Sequence, residues 1–126
     1  MILLRQWRGQ RGERLAANFL SAHGYVVKEA NVRFPVGEID LIAFEHGVLC
    51  FVEVRSTSST EWGGPFASIT DRKRQRLIRA ARWYLTRLRD LPPEIRFDVV
   101  GITWHDRGSS SIELIRGAFD ATGCWS

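Results

Sequence analysis

Apolar residues recur along the chain with two different periods, and the first of them is helical. Residues 7–22 repeat apolar positions every three to four residues, and Gly24 follows as a left-handed stop. Residues 71–88 have the same period, and Thr70 stands in front of them as an N-cap. These two segments are the predicted helices.

Other segments are rich in β-branched and aromatic residues, which predicts strands. They are residues 25–32, 38–44, 48–55, 95–104 and 111–115. The pair His46-Gly47 separates the second from the third and predicts a two-residue hairpin turn. The element order α-β-β-β-α-β-β predicts an α/β domain, in which helices pack on a mixed, mainly antiparallel sheet.

Composition narrows the class of protein. The chain has 126 residues, 44% hydrophobic and 25% charged, and we expect one domain over residues 1–126. No apolar run approaches the ~20 residues that a membrane helix needs, so no membrane partner is expected. Cys50 and Cys124 form no C-x-x-C unit, and the three histidines lack zinc-ligand spacing. We therefore expect reduced thiols and a cytoplasmic location.

The charge balance suits a polyanionic partner without requiring one. Lysine and arginine number 18 against 14 acids, which gives a net charge of +4. Part of this charge lies on one outward side of the second helix, which we call the arginine row: Arg72, Arg76, Arg79 and Trp83. Most such runs are solvated faces, but positive charge interleaved with an aromatic residue favours binding of nucleic-acid phosphates and of an unstacked base.

The hairpin is predicted to bring two acids face to face. A two-residue loop places Asp40 opposite Glu53, and Glu38 opposite Arg55. Opposed carboxylates with Cβ atoms about 5 Å apart repel each other, so a cation between them is expected. Two oxygen ligands on a rigid strand pair suit Mg²⁺ or Mn²⁺, which also accept phosphate oxygens. The alternative is a cross-strand salt bridge between Glu38 and Arg55, with both opposed acids in ordinary surface hydrogen bonds.

Two further charged residues are predicted near the buried sides of the helices. Glu13 falls within roughly 40° of the apolar stripe of the first helix. It would either reach the hairpin acids or meet an arginine as a structural pair. Lys73, near the start of the second helix, lies at the edge of the apolar side. It would either contact a scissile phosphate or attacking water, or keep its ammonium solvated.

Two segments carry a family resemblance. Gly37-Glu38-Ile39-Asp40 followed by Phe51-Val52-Glu53-Val54-Arg55 resembles the metal-binding core of the PD-(D/E)xK nuclease superfamily. With Gly12-Glu13, Asn31 and Lys73 in order, nearly the whole chain resembles the small bacterial YraN family (UPF0102), related to Holliday junction resolvases. The resemblance implies a restriction-endonuclease-like core that uses carboxylate-bound Mg²⁺ to hydrolyse DNA. Resolvase-like enzymes often act as dimers, so a homodimer is also an expectation.

The resemblance also implies roles for individual residues. Asp40 and Glu53 match the two acidic motif positions, and Glu13 matches the helix acid of the resolvase branch as a third metal ligand. Glu38 would support the site. Arg55 stands where the superfamily has a lysine; an arginine stays protonated and cannot act as a base, although it can clamp a phosphate. Lys73 is a candidate replacement from the helix.

The expected function is therefore metal-dependent hydrolysis of DNA phosphodiesters, with branched DNA as one candidate substrate and Mg²⁺ or Mn²⁺ as cofactor. Asp40, Glu53, Arg55 and Lys73 would be its catalytic residues. One alternative is a non-catalytic nucleic-acid-binding module on a degenerate nuclease scaffold. Another is a structural protein whose arginine row meets an acidic partner protein.

Overall fold

The computed structural model describes residues 4–58 and 63–125, with side chains from residue 10 onward. Helix α1 is Leu4–Ala22 and helix α2 is Asp71–Thr86. The strands are β1 Val26–Phe34, β2 Gly37–Glu45, β3 Val48–Thr57, β4 Ile95–Trp104 and β5 Ser110–Phe119, with short 3-10 turns at Pro65–Ser68 and Asp106–Gly108. The predicted element order is confirmed, although the last strand is longer and the second helix shorter than expected.

Three local signals in the sequence end or begin elements as predicted. The hydroxyl of Thr70 accepts a hydrogen bond from the N–H of Lys73 at 3.2 Å and caps α2. Gly24 follows α1 with a φ of 91°. His46 and Gly47 both have positive φ, 50° and 81°, which is the backbone that a tight two-residue hairpin requires.

The sheet has the order β1-β2-β3-β4-β5 and is antiparallel except for the parallel pair β3–β4. Ala16 and Leu20 of α1 belong to one buried apolar cluster, and Leu77 and Ile78 of α2 belong to the other. The two helices thus cover opposite faces, and the middle strands are buried on both sides. Among the described residues, no helix is both long and apolar enough to cross a bilayer.

The 3-10 turn packs directly on Gly101 of β4. A Cβ at this position would lie 2.8 Å from side-chain atoms of Pro65 and Phe66. We expect Gly101→Ala to displace the turn and to lower the free energy of unfolding by about 1–3 kcal/mol, measured by denaturant titration. Gly12→Ala is the matched control, because its nearest new neighbour would lie at 3.6 Å. Equal effects of the two substitutions would contradict this packing.

Candidate functional site

Strands β2 and β3 stop pairing where the acidic side chains begin. The predicted hairpin register is confirmed from Glu45–Val48 up to Leu41–Val52, where the ladder ends. Beyond it, the N–H of Val54 donates to Oδ2 of Asp40 at 2.9 Å. The carboxylate of Asp40 therefore lies between the two strands, where it accepts a hydrogen bond from a backbone N–H of β3.

The expected pairing of Glu38 with Arg55 is wrong. Glu38 lies opposite Arg33 of β1 and forms a 3.6 Å ion pair with it. Nη1 of Arg55 lies 3.6 Å from Oε1 of Glu53 on its own strand, and its Nε donates to the Ser68 hydroxyl at 3.0 Å. The reason is the early end of the β2–β3 ladder, which leaves both residues outside the paired part of the hairpin.

Three carboxylates converge at this point, and we call them the acidic cluster. One oxygen from each of Glu13, Glu38 and Asp40 lies within 4.8 Å of the other two. Helix α1 supplies Glu13, whose carboxylate is hydrogen-bonded by the side chain of Asn31. The sequence left two outcomes open for Glu13. In the structure, Glu13 reaches the hairpin acids. Glu38, expected only as support, is itself part of the cluster.

Glu53 adjoins the acidic cluster from β3 but is not one of the three converging groups. Its side chain is 16% exposed, and its carboxylate and that of Asp40 influence each other. Burial raises the pKa of both acids, and the charge of Glu53 raises the pKa of Asp40 further, to well above its usual value. In the absence of a cation, this part of the site therefore holds protons more tightly than ordinary carboxylates do.

Two cationic side chains near Glu53 both donate hydrogen bonds to Ser68 of the 3-10 turn. Arg55 donates to the hydroxyl of Ser68, and Nζ of Lys73 donates to the carbonyl of the same serine at 3.1 Å. The charges of Arg55 and Lys73 both oppose the rise in the pKa of Glu53. Lys73 therefore lies on the site side of α2, although its side chain is exposed.

Open hollows adjoin the acidic cluster on two sides. The α1-side hollow, about 320 Å³, includes Glu13, Arg14 and Asn31 in its wall. The α2-side hollow, about 410 Å³, includes Glu38 and Arg76. Each hollow thus combines one acid of the cluster with an arginine, so an anionic ligand that reaches the cluster from either side meets positive charge.

Comparison with known proteins places the sequence in a family. Residues 12–102 match the model of "Uncharacterised protein family UPF0102". The chain belongs to the UPF0102 family. A UPF0102 protein of Desulfosudis oleivorans is 44% identical over 121 residues, which cover 96% of each chain. One of Symbiobacterium thermophilum is 47% identical over 113 residues, which cover 90% of this chain and 96% of that protein. The part of the chain that matches the UPF0102 model contains the whole acidic cluster.

The arginine row of this UPF0102 protein lies on the solvent side of α2, as predicted. All four of its side chains are exposed, and Trp83 lies against Phe34 with ring centroids 6.4 Å apart. Arg74 of the same helix is excluded from the row because it is buried, 3.5 Å from Asp71 and stacked on Trp125. Only the outward arginines are therefore available to a partner.

The sequence did not predict the contacts that three residues make at the site. Asn31 lies between the pairs Ala30–Leu41 and Val32–Ile39, opposite Asp40, and has a φ of 53°. An asparagine within a β-branched run is a weak signal for such left-handed backbone. Ser68 and Arg14 carried no signal, because their roles depend on which elements pack together.

Proposed function

We propose that this protein is a metal-dependent endonuclease that hydrolyses DNA phosphodiester bonds, with branched DNA as a candidate substrate. The observation that carries the proposal is the convergence of Glu13, Glu38 and Asp40 within 4.8 Å, beside the partly buried Glu53. The likeness of the Gly37–Asp40 and Phe51–Arg55 segments to PD-(D/E)xK nucleases supports the same chemistry. The proposal rests on the chemistry of the site.

The donor set of the acidic cluster fits a hard divalent cation. The cluster consists of carboxylates alone, which are ligands that Mg²⁺ and Mn²⁺ prefer. Burial and mutual repulsion raise the pKa of Asp40, and a cation would relieve that cost. Glu13, Glu38 and Asp40 would hold the ion, with Glu53 adjacent. When bound, such an ion supplies positive charge at the phosphoryl oxygens and lowers the pKa of a coordinated water.

Arg55 is the residue that this chain offers to the scissile phosphate. Its guanidinium is oriented by the Ser68 hydroxyl and by Glu53. Because arginine stays protonated, it binds phosphate oxygens and does not remove a proton. Lys73, held by the Ser68 carbonyl, adds a second positive charge near Glu53. Both side chains would stabilise the negative charge that develops on the phosphoryl group.

Contacts to the rest of the DNA are assigned to the arginine row. Its exposed guanidinium groups suit backbone phosphates, and Arg76 extends the positive surface into the α2-side hollow beside Glu38. Trp83 offers a half-exposed ring on which a base can stack. The partner that this surface favours is therefore a nucleic acid.

Purified protein incubated with nicked, flapped and four-way DNA tests the proposal. We expect cleavage in Mg²⁺ or Mn²⁺, none with a chelator, and none by Asp40→Asn in either metal. Asp90→Asn is the matched control, since it removes an exposed carboxylate away from the cluster and should cleave normally. Failure of the wild type to cleave in both metals, or equal cleavage by Asp40→Asn, would refute the catalytic proposal.

The second candidate function is a non-catalytic nucleic-acid-binding module on the same scaffold. The observation that favours it is Arg55, which cannot act as a proton acceptor at the position of the superfamily lysine. Such a module would bind DNA with a steep salt dependence and without cleavage. In such a module the wild type and Asp40→Asn would bind divalent cations with the same affinity. In the enzyme, Asp40→Asn would bind them less tightly than the wild type does.

A further inference from the structure

A groove of about 540 Å³ lies between α1 and the turn that joins β4 to β5. Its polar lining residues are Gln10, Arg11, Arg14 and Asn18 of α1, Gly108 of the turn and Ser110 at the start of β5. Among the residues whose side chains are described, the lining contains no acid, and Leu15 is its one apolar side chain. Guanidinium, amide and hydroxyl groups are the side-chain donors that contact phosphates and sugars of nucleic acids.

Arg11 is held in place at this groove. Its Nη2 donates to the carbonyl of Gly108 at 3.4 Å, and its guanidinium lies 4.8 Å from the ring centroid of Trp104. Trp104 is only 8% exposed and therefore forms a fixed platform beneath the charge. A side chain ordered in this way loses less conformational entropy when it binds an anion than a free surface arginine does.

The groove continues towards the acidic cluster. It shares Gln10 and Arg14 with the α1-side hollow, and that hollow includes Glu13 of the cluster. A chain of phosphates that leaves the cluster on this side therefore meets Arg14 first and Arg11 next. On the other side, the α2-side hollow presents Arg33 and Arg76. Positive charge thus flanks the acids in both directions, as a polymer that extends on both sides of a reacting bond requires.

We propose that this groove binds the sugar–phosphate backbone of DNA that flanks the scissile bond on the α1 side. The identity of the ligand rests on the proposed function, but binding itself requires no hydrolysis. Two arginines in the lining favour an anionic ligand over an uncharged small molecule. The groove therefore adds a second phosphate-binding surface, on the opposite face of the sheet from the arginine row.

Fluorescence anisotropy with a short DNA duplex tests this groove, over a series of salt concentrations with a chelator present to prevent cleavage. We expect Arg11→Gln to weaken binding about five- to tenfold at low salt. The slope of log K against log salt should fall by about 0.9, as for one lost phosphate contact. Asn18→Ala, which leaves the Arg11–Trp104 contact in place, should weaken binding in the same direction.

Arg89→Gln is the matched control, because it removes the same charge from an exposed position outside the groove and both hollows. Wild-type affinity and slope in Arg11→Gln, an equal loss in Arg89→Gln, or no DNA binding by the wild type would each overturn the proposal. Failure of the proposed function looks different: DNA binds and responds to Arg11→Gln, but no metal releases a product.

Discussion

Asp40→Asn is expected to abolish cleavage and, at the same time, to stabilise the metal-free protein. Loss of a cluster carboxylate should reduce the cleavage rate by about 10³-fold or more. The amide oxygen can still accept the hydrogen bond from the N–H of Val54, so the local backbone keeps its partner. Removing the charge relieves repulsion from Glu53 and Glu13. We expect a gain of about 1 kcal/mol, or roughly 4 °C in Tm.

The stability gained by Asp40→Asn relative to the wild type should increase with pH. Burial and the charge of Glu53 raise the pKa of Asp40 above its usual 3.8, so the folded protein binds this proton more tightly than the unfolded chain. That contribution is complete below pH 3.8 and is lost as the pH rises through the raised pKa. The advantage of Asp40→Asn over the wild type should therefore be small in acid and grow towards neutral pH.

Denaturant unfolding with a chelator, repeated across this pH range, measures the difference. Asp90→Asn is the control, because its carboxylate is exposed and outside the acidic cluster, and it should change the free energy of unfolding by no more than about 0.5 kcal/mol. A destabilised Asp40→Asn protein, or a gain that is the same in acid and at neutral pH, would contradict the electrostatic account of the site. Cleavage by the same preparations shows whether stability and activity move in opposite directions, as expected when a site is built for function.

Asp98→Ala is expected to have the largest effect on stability. Asp98 is completely buried and accepts hydrogen bonds from Arg96, the Tyr25 hydroxyl and the N–H of Gly117, all at 2.8–2.9 Å. Arg96 also bonds Glu45 at 2.7 Å. Alanine would leave a partly buried guanidinium and a buried hydroxyl without this partner, at a cost of about 3–5 kcal/mol. That is a large part of the 5–15 kcal/mol that stabilises most domains.

Urea unfolding of Asp98→Ala beside Asp90→Ala measures this cost. The exposed Asp90 should change the free energy of unfolding by no more than about 0.5 kcal/mol. Should Asp98→Ala prove too unstable to purify, Asp98→Asn keeps an acceptor for the Gly117 N–H and should lie between it and the wild type. Equal stabilities of the Asp98 and Asp90 variants would contradict the structural role of this buried network.

The sequence predicted the parts of the fold that local signals determine. His46-Gly47 set the turn, and a two-residue turn fixes which residues pair across a hairpin, so the register that this turn implies is observed from Glu45–Val48 to Leu41–Val52. Thr70 marked the start of α2 through its own hydrogen bond. The inward position of Glu13 followed from helical period alone.

The sequence could not predict where the hairpin ladder ends. That point depends on the Asp40 carboxylate competing with backbone for the N–H of Val54, a contact with no periodic signature. Because the ladder ends before Glu38 and Arg55, each of them pairs with another residue, and the expected pair between them was wrong. The buried charge of Asp98 was equally hidden, because β4 is covered on both faces and loses the two-residue alternation that marks inward positions.

Calorimetric titration of Mn²⁺ into the metal-free protein tests the central claim most directly, because it measures cation binding by the acidic cluster without any DNA. We predict binding by the wild type and by Asp90→Asn, and loss of binding in Asp40→Asn. Protons should be released on binding, since the raised pKa values of Asp40 and Glu53 mean that metal must displace protons. No binding by the wild type, or unchanged binding by Asp40→Asn, would contradict the account.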